Sequence, residues 1–495
     1  MSTTFDELIV RPLLHSLSSC QDNNAFYIEG RFYSYRDMAE AISKIRAVIK
    51  NIPEVNVGLV ANDDIETYAS IFALWLEGKC YVPLHPEQPI QRCLDIVSQV
   101  GMNFILDSSE ISRYNDIQVI MTRRLSFDKL HLEYVGNFSD DDLAYILFTS
   151  GSTGKPKGVP LCRGNVAGFV DAFHAMDIKL DSNDHCLQMF DLTFDLSVQS
   201  YLIPLLIGAC VYTVSPKRIK YEAVFELLDE QNLTFALMVP SVIHYLRPYM
   251  DEIDAPSMRY SLFCGEALPL DDTECWSRCI PNARIDNVYG PTENTIYCTD
   301  YIFKREGENK ESNGVLTIGK SMKGTQTIIV DDKNEMLPAN EKGELCLAGV
   351  QLTPGYWNNP DKNQEAFFLK DGTRFYRTGD ICTMDSDGDI LYFGRKDSQV
   401  KIQGFRIELS EIECVARKFY DNRIAVVAIP LYDNNRNCTI QLVVESADRT
   451  SADTLDSYLK EYLPPYMIPQ RIHFMERFPL NVNNKIDRKK ITTLL

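Results

Sequence analysis

The sequence predicts an α/β protein of more than one domain. A large N-terminal domain of mixed and parallel sheets, with helices and a small β-barrel, is followed by a small α+β C-terminal domain. Three changes of rhythm carry this expectation. Apolar strand-like runs alternate with helical patterns up to about residue 315, short strands and acidic turns follow, and a compact mixed module begins after Gly394. At 495 residues the chain is also too long for one core.

In chain order, Tyr35, Met38, Ile42, Ile45 and Ile49 share one face of a helix over 35–49, and a second helix is expected over 65–76. Apolar strands are expected at 80–83, 103–106, 144–148, 209–214, 234–239, 260–264 and 285–289. Most are separated by a helical pattern, which means largely parallel pairing. Strands at 326–330, 344–348 and 389–393, punctuated by DD, DKNE and DSDGD turns, predict a small antiparallel barrel or sheet. The final module reads as strands at 398–403 and 405–408, a helix at 409–419, strands at 423–429 and 439–445, a helix at 452–463 and a strand at 471–475. The domain boundary is expected between Arg395 and Ser398, giving domains of 1–396 and 397–495.

Apolar residues at 45% and charged residues at 24% are those of an ordinary globular protein. The net charge of -19 argues against nucleic acid or an anionic membrane as partner. A polyanionic ligand must then be met by a few local cations. The opening MSTTFDELIVRPLLHS has no basic region before an apolar core, and no run approaches the roughly 18 to 20 apolar residues of a membrane span, so a soluble cytoplasmic protein is expected. Fourteen cysteines are scattered without a CxxC pair, Cys275 and Cys279 being the closest, which favours small buried hydrophobes over zinc sites or disulfides.

Residues 143–159, LAYILFTSGSTGKPKGV, join a buried strand to a loop suited to anionic oxygens. Thr149, Ser150, Gly151, Ser152, Thr153, Gly154 and Lys155 supply small residues, hydroxyls and a cation, with Lys157 close behind. This is not a Walker A loop. Only two residues separate Gly151 from Gly154, and Pro156 follows Lys155, removing an amide donor. A P-loop kinase is thereby excluded. A second cluster, Asn287, Val288, Tyr289, Gly290, Pro291, Thr292 and Glu293, ends an apolar strand, where ligands of open parallel sheets bind. Tyr289 offers a stacking face, Thr292 a hydroxyl for phosphate and Glu293 a hard oxygen for Mg²⁺, although a Gly-Pro turn beside a glutamate is by itself more often only a turn. In residues 376–380, YRTGD, a tight turn would present Asp380 to the two hydroxyls of a ribose, the alternative being an Asx-type turn.

Seven runs occur in the order seen in adenylate-forming enzymes: TSGSTGKPKG, FDLS at 194–197, YGPTE at 289–293, GELCLAG at 343–349, YRTGD, GRKDSQVKIQGFRIELSEIE at 394–413 and NKIDR at 484–488. The chain resembles the amino-acid-activating branch of the ANL superfamily: adenylation domains of nonribosomal peptide synthetases and D-alanine:D-alanyl carrier protein ligases. The resemblance implies the acyl-CoA synthetase-like fold with a mobile C-terminal lid, and two half-reactions. An amino acid carboxylate attacks the α-phosphate of Mg-ATP to give aminoacyl-AMP, and a phosphopantetheine thiol then takes the aminoacyl group. Positioned cations and metal suit a reaction between two anions. It implies that Lys485 bridges carboxylate and α-phosphate, with Thr292 and Glu293 as catalytic residues and Glu293 on Mg²⁺. ATP would meet the loop 149–155 together with Gly265, Glu266, Asn287, Tyr289, Asp380 and Arg395. Asp397 would be the hinge, and Gly404 in KIQGFR would line the thiol's approach, though a bulge or hairpin turn is equally plausible for that glycine. Asn483 and Asn484 stand where relatives have Asn-Gly before the lysine, a replacement that positive φ tolerates at modest strain.

By the same resemblance, Asp195 holds the substrate's α-ammonium, and Leu196, Gln199, Ser241, Leu262, Cys264, Val288, Ile296 and Tyr297 wall the pocket. Tyr297 replaces a smaller residue of the ligases, which predicts a substrate the size of glycine or alanine, D-alanine included. No carrier attachment motif is found, so a holo carrier protein is expected in trans. The rival readings are an acyl-CoA ligase using free CoA, against which Asp195 weighs, and a catalytically silent nucleotide-binding regulator, against which Lys485, Glu293 and Asp380 weigh.

Overall fold

The computed structural model describes residues 4–134, 136, 138–151, 155–396, 399–433, 437–479 and 486–495. Packing divides the chain into two units. The larger comprises 1–86, 100–147 and 158–396, and the smaller 87–99, 148–157 and 397–495.

Two large sheets organise the larger unit. The first has nine strands in the order Lys320–Ser321, Thr299–Ile302, Arg284–Tyr289, Tyr260–Phe263, Phe235–Met238, His185–Gln188, Cys210–Thr213, Asn24–Ile28 and Arg31–Ser34. From Arg284–Tyr289 to Asn24–Ile28 every pairing is parallel, and antiparallel strands close both edges. The second has six strands, Gln118–Met121, Phe104–Asp107, Asn56–Val60, Cys80–Leu84, Leu143–Thr149 and Lys157–Cys162. The parallel strands are buried along most of their length, as near-continuous apolar runs require.

The helices begin where side chains can cap them. Ser34 and Asp37 form a reciprocal capping box at the start of Tyr35–Ile49, with Asp37 N–H donating to Ser34 Oγ at 3.1 Å and Ser34 N–H to Asp37 Oδ2 at 2.7 Å. Asp64 caps Ile65–Leu76 by accepting from Thr67 N–H at 2.9 Å. After residue 315 the chain builds a five-stranded antiparallel sheet from Thr325–Val330, Gly343–Gly349, Thr373–Met384, Phe367–Lys370 and Ile390–Arg395. One expectation is corrected there: residues 376–380 are not a tight turn but the middle of the strand Thr373–Met384, where Gly379 at φ 74° accompanies a register shift. A bulge uses the same left-handed glycine as a turn without reversing the chain. The DSDGD turn gathers Asp385, Asp387 and Asp389 around Lys310 Nζ at 2.6, 2.8 and 2.6 Å, so an ammonium already fills that carboxylate cluster.

In the smaller unit the helices Leu409–Phe419 and Ala452–Tyr462 pack with a sheet of Val426–Tyr432, Cys438–Glu445 and Arg471–Met475. The first of these strands starts at Val426, later than the expected 423, after a turn in which Asp421 and Asn422 take left-handed φ of 51° and 60°. Arg488 of NKIDR forms a bidentate pair with Glu413 of SEIE at 2.7 and 3.1 Å, a tie between two of the sequence runs. None of the fourteen cysteines is in a disulfide, and nine are buried. Burial pushes the thiols of Cys210, Cys298 and Cys346 up to about 12. No helix among the described residues is long and apolar enough to cross a membrane.

Candidate active site

The larger unit holds the residues expected to meet the amino acid and the ribose. Asp195 opens the helix Asp195–Leu206 and is buried. Burial, more than any other cause, pushes its carboxyl from the ordinary 3.8 up to about 6. The Thr292 hydroxyl and the amides of Ile296 and Leu196 oppose that rise, and the Glu293 charge adds to it. Asp195 Oδ2 has no hydrogen-bond partner among the described residues. A buried carboxylate left half-satisfied is costly until a cation arrives. Gln199 lies one turn further along the same helix, fully buried, with both amide atoms unpartnered among the described residues.

Leu196, Leu262, Cys264, Val288, Ile296 and Tyr297 join one buried apolar cluster. Alternation places them there: Phe263, between Leu262 and Cys264, belongs to the core on the other face of its strand. Tyr297 is fully buried, stands edge-to-face on Phe169 with centroids 5.0 Å apart, and has a hydroxyl without partner among the described residues. The Ser241 N–H donates to Glu266 Oε2 at 2.9 Å. Gly265 takes φ 95°, and the Asn287 side chain donates to the Thr317 carbonyl at 2.9 Å.

Asp380 and Arg395 form an ion pair at 2.9 Å, and the buried Tyr289 hydroxyl donates to the other oxygen of Asp380. Two of the sequence runs brace this pair. Thr378 Oγ donates to the Leu345 carbonyl at 2.7 Å, and the Gly379 N–H donates to Glu344 Oε1 at 3.1 Å. Glu293 is fully buried, and Tyr356 donates its hydroxyl to Glu293 Oε1 at 2.7 Å. Tyr356 is not among the residues the sequence singles out; its only signal is an aromatic residue after the Pro-Gly turn of TPGYW. Gln351, likewise absent from those residues, has no signal of its own.

The smaller unit holds the anion-binding loop. Thr149 Oγ1 is buried without a partner among the described residues, and Lys155 is exposed. A Cβ on Gly151 would stand 2.1 Å from the Lys155 carbonyl oxygen, so the loop closes on itself only with glycine there. Ser150 Oγ donates to the Arg406 carbonyl at 2.8 Å, and the Gly151 N–H donates to Glu411 Oε2 at 2.9 Å. Glu411 is also paired with Arg92 at 2.5 Å, both side chains being buried. A protein carboxylate thus sits on an amide that the sequence assigns to phosphate. Gly404, at φ 82° beside Gln403 at 52°, forms the two-residue turn of the hairpin Gln399–Ile402 and Phe405–Glu408. Ser152, Thr153, Gly154, Asp397 and Lys485 lie outside the described residues.

The chain belongs to the family described as AMP-binding enzyme, which it matches over residues 15–357. It is an AMP-forming ligase, of the type found in nonribosomal peptide synthetase adenylation domains and D-alanine ligases. D-alanine–D-alanyl carrier protein ligase of Lactiplantibacillus plantarum is 30% identical over 495 residues, covering 95% of this chain and 96% of that protein. Tyrocidine synthase 1 of Brevibacillus parabrevis is 31% identical over 486 residues, covering 95% of this chain, which spans only 43% of the length of that synthase. Among solved structures, the Vibrio cholerae adenylation domain AlmE in complex with glycyl-adenosine-5'-phosphate superposes with a TM-score of 0.86 at 27% identity, over 98% of this chain and 97% of that one.

Proposed function

We propose that this chain activates glycine or alanine as aminoacyl-AMP at the expense of ATP and transfers it to the phosphopantetheine thiol of a separate carrier protein. The observation that carries the reading is Asp195: a buried carboxylate with one oxygen unpartnered among the described residues is the counter-ion an α-ammonium requires. The likeness to a D-alanine ligase along almost the whole of both chains, and to an adenylation domain solved with glycyl-adenosine-5'-phosphate, supports both the chemistry and the small substrate. Tyr297, anchored against Phe169, takes up space that a larger side chain would need.

In this reading Asp380, with Arg395, accepts the ribose hydroxyls, Tyr289 stacks on adenine, and the loop 149–155 holds the distal phosphates. Glu293 fits a hard cation, since its buried carboxylate is oriented by Tyr356, and Mg²⁺ bound there would offset phosphate charge. Lys485 neutralises the substrate carboxylate and the α-phosphate as they approach, in a lid domain of 397–495 that turns about Asp397 for the second step. Gly404 then lines the path of the thiol.

Pyrophosphate exchange measured across the amino acids tests the first step. Glycine or alanine is expected to lead, and a preference for a large aromatic acid overturns the small pocket. Mass spectrometry of candidate holo carriers after incubation with enzyme, ATP and mixed amino acids tests the second. Thioester formed on free CoA but on no carrier would establish a CoA ligase instead.

A further inference from the structure

The turn over residues 294–297 joins Glu293 to the pocket wall, and its backbone is strained. Thr295 and Ile296 stand at φ 50° and 73°, a region that β-branched residues seldom enter. Such a turn persists only where its surroundings over-determine it. Much of that restraint comes from one residue, Gln351, beside the bond from the Ile296 amide to Asp195. Gln351, fully buried, places Nε2 at 2.9 Å from the Tyr297 carbonyl oxygen, 3.1 Å from that of Thr295 and 3.4 Å from that of Asn294. Its own backbone carbonyl accepts the Thr295 hydroxyl at 2.5 Å, and its Oε1 accepts from Thr325 at 3.3 Å. The same segment holds the turn's other end, because the Thr353 N–H donates to the Glu293 carbonyl at 2.9 Å. The wall has little room to shift, as a Cβ on Gly290 would stand 2.3 Å from Tyr297 Cα.

We propose that Gln351 is a positioning residue for specificity: its amide clamps the strained turn, holds Ile296 and Tyr297 in the wall of the amino-acid pocket, and so confines the pocket to small side chains. This rests on the amino-acid-activating reading above. Without the clamp, Ile296 relaxes toward negative φ, and Tyr297, the next residue, moves with it. The nucleotide residues Asp380 and Arg395 sit on other strands and stay in place.

Gln351→Met keeps the volume and removes every side-chain hydrogen bond. In glycine-dependent pyrophosphate exchange, KM for glycine rises about tenfold while KM for MgATP stays within about twofold, and the preference for glycine over leucine falls by about tenfold. A folded Gln351→Met protein with unchanged glycine KM and unchanged discrimination overturns the inference, as does an equal rise in both KM values. Where Gln351→Met alone fails to fold, Gln351→Met/Ile296→Gly recovers folding, because glycine occupies that φ without strain. Failure of this pair to fold, while Ile296→Gly alone does, also overturns the inference. Wild-type protein that supports exchange with no amino acid overturns the functional reading itself and is recognised before any variant is made.

Discussion

The hydroxyl of Tyr356 and the carboxylate of Glu293 meet at 2.7 Å inside the protein, with no part of Glu293 exposed. A phenol that fixes one carboxylate oxygen dictates where the other points, as partners of metal-binding carboxylates commonly do. Tyr356→Phe is expected to lower the apparent Mg²⁺ affinity in pyrophosphate exchange by about 10- to 100-fold. Titration of exchange activity with Mg²⁺ checks this, and an unchanged curve would remove Glu293 from the metal.

Asp195 predicts opposite effects on activity and stability. Its folded value, about 6, lies above the ordinary 3.8, so the carboxyl favours the amino-acid-free fold when protonated, and that contribution is lost as pH rises from about 4 to 6. Asp195→Asn should therefore raise the unfolding free energy by about 2 to 3 kcal/mol at pH 8 and by little at pH 4, while abolishing amino-acid-dependent exchange. In the wild type, amino-acid affinity should fall as pH drops below about 6, where the ammonium loses its charged partner. Denaturant melts and exchange assays at both pH values read all three.

The Arg92–Glu411 pair joins residues far apart in sequence within the smaller unit. Arg92→Ala strands a buried carboxylate and should cost about 3 to 5 kcal/mol, whereas Arg92→Met/Glu411→Leu should recover most of that loss. Urea unfolding followed by a probe in the smaller unit distinguishes the two.

Asp380→Asn, which weakens the tie to Arg395, should raise KM for ATP by about 10- to 100-fold and leave KM for the amino acid unchanged. Steady-state exchange with each substrate varied in turn gives both values.

For Lys485→Ala, adenylate formation should be crippled while thioester transfer from preformed aminoacyl-AMP remains largely intact. Equal loss of both steps in rapid-quench assays would contradict a lysine that serves only the first.

Local chemistry makes much of the fold legible. The helix Tyr35–Ile49 carries its apolar period and its capping serine in adjacent residues, and the strand Leu143–Thr149 is a bounded apolar run. The bulge at Gly379 reads as a turn because both need the same positive φ, and only pairing to a distant strand separates them. The site divides along similar lines. Asp195 and Asp380 stand within short ordered runs, whereas Arg92, Gln351 and Tyr356 act across long sequence separations: Arg92 and Glu411 are 319 residues apart. No periodicity encodes such a pairing, since folding alone brings it together. The helix Asp195–Leu206 is buried on all sides and so lacks the amphipathic stripe that would announce it.

Nine sequestered thiols, spread through the chain with no disulfide between them, give the protein a built-in clock of its own opening. An alkylating reagent attacks thiolate, and burial withholds both the reagent and the charge. Each modified position, identified by peptide mass after timed exposure, therefore dates the moment its neighbourhood first breathed. In the proposed reading Cys264 walls the amino-acid pocket, so its alkylation would slow when the activated intermediate is bound, turning occupancy into a chemical signal that needs no added label.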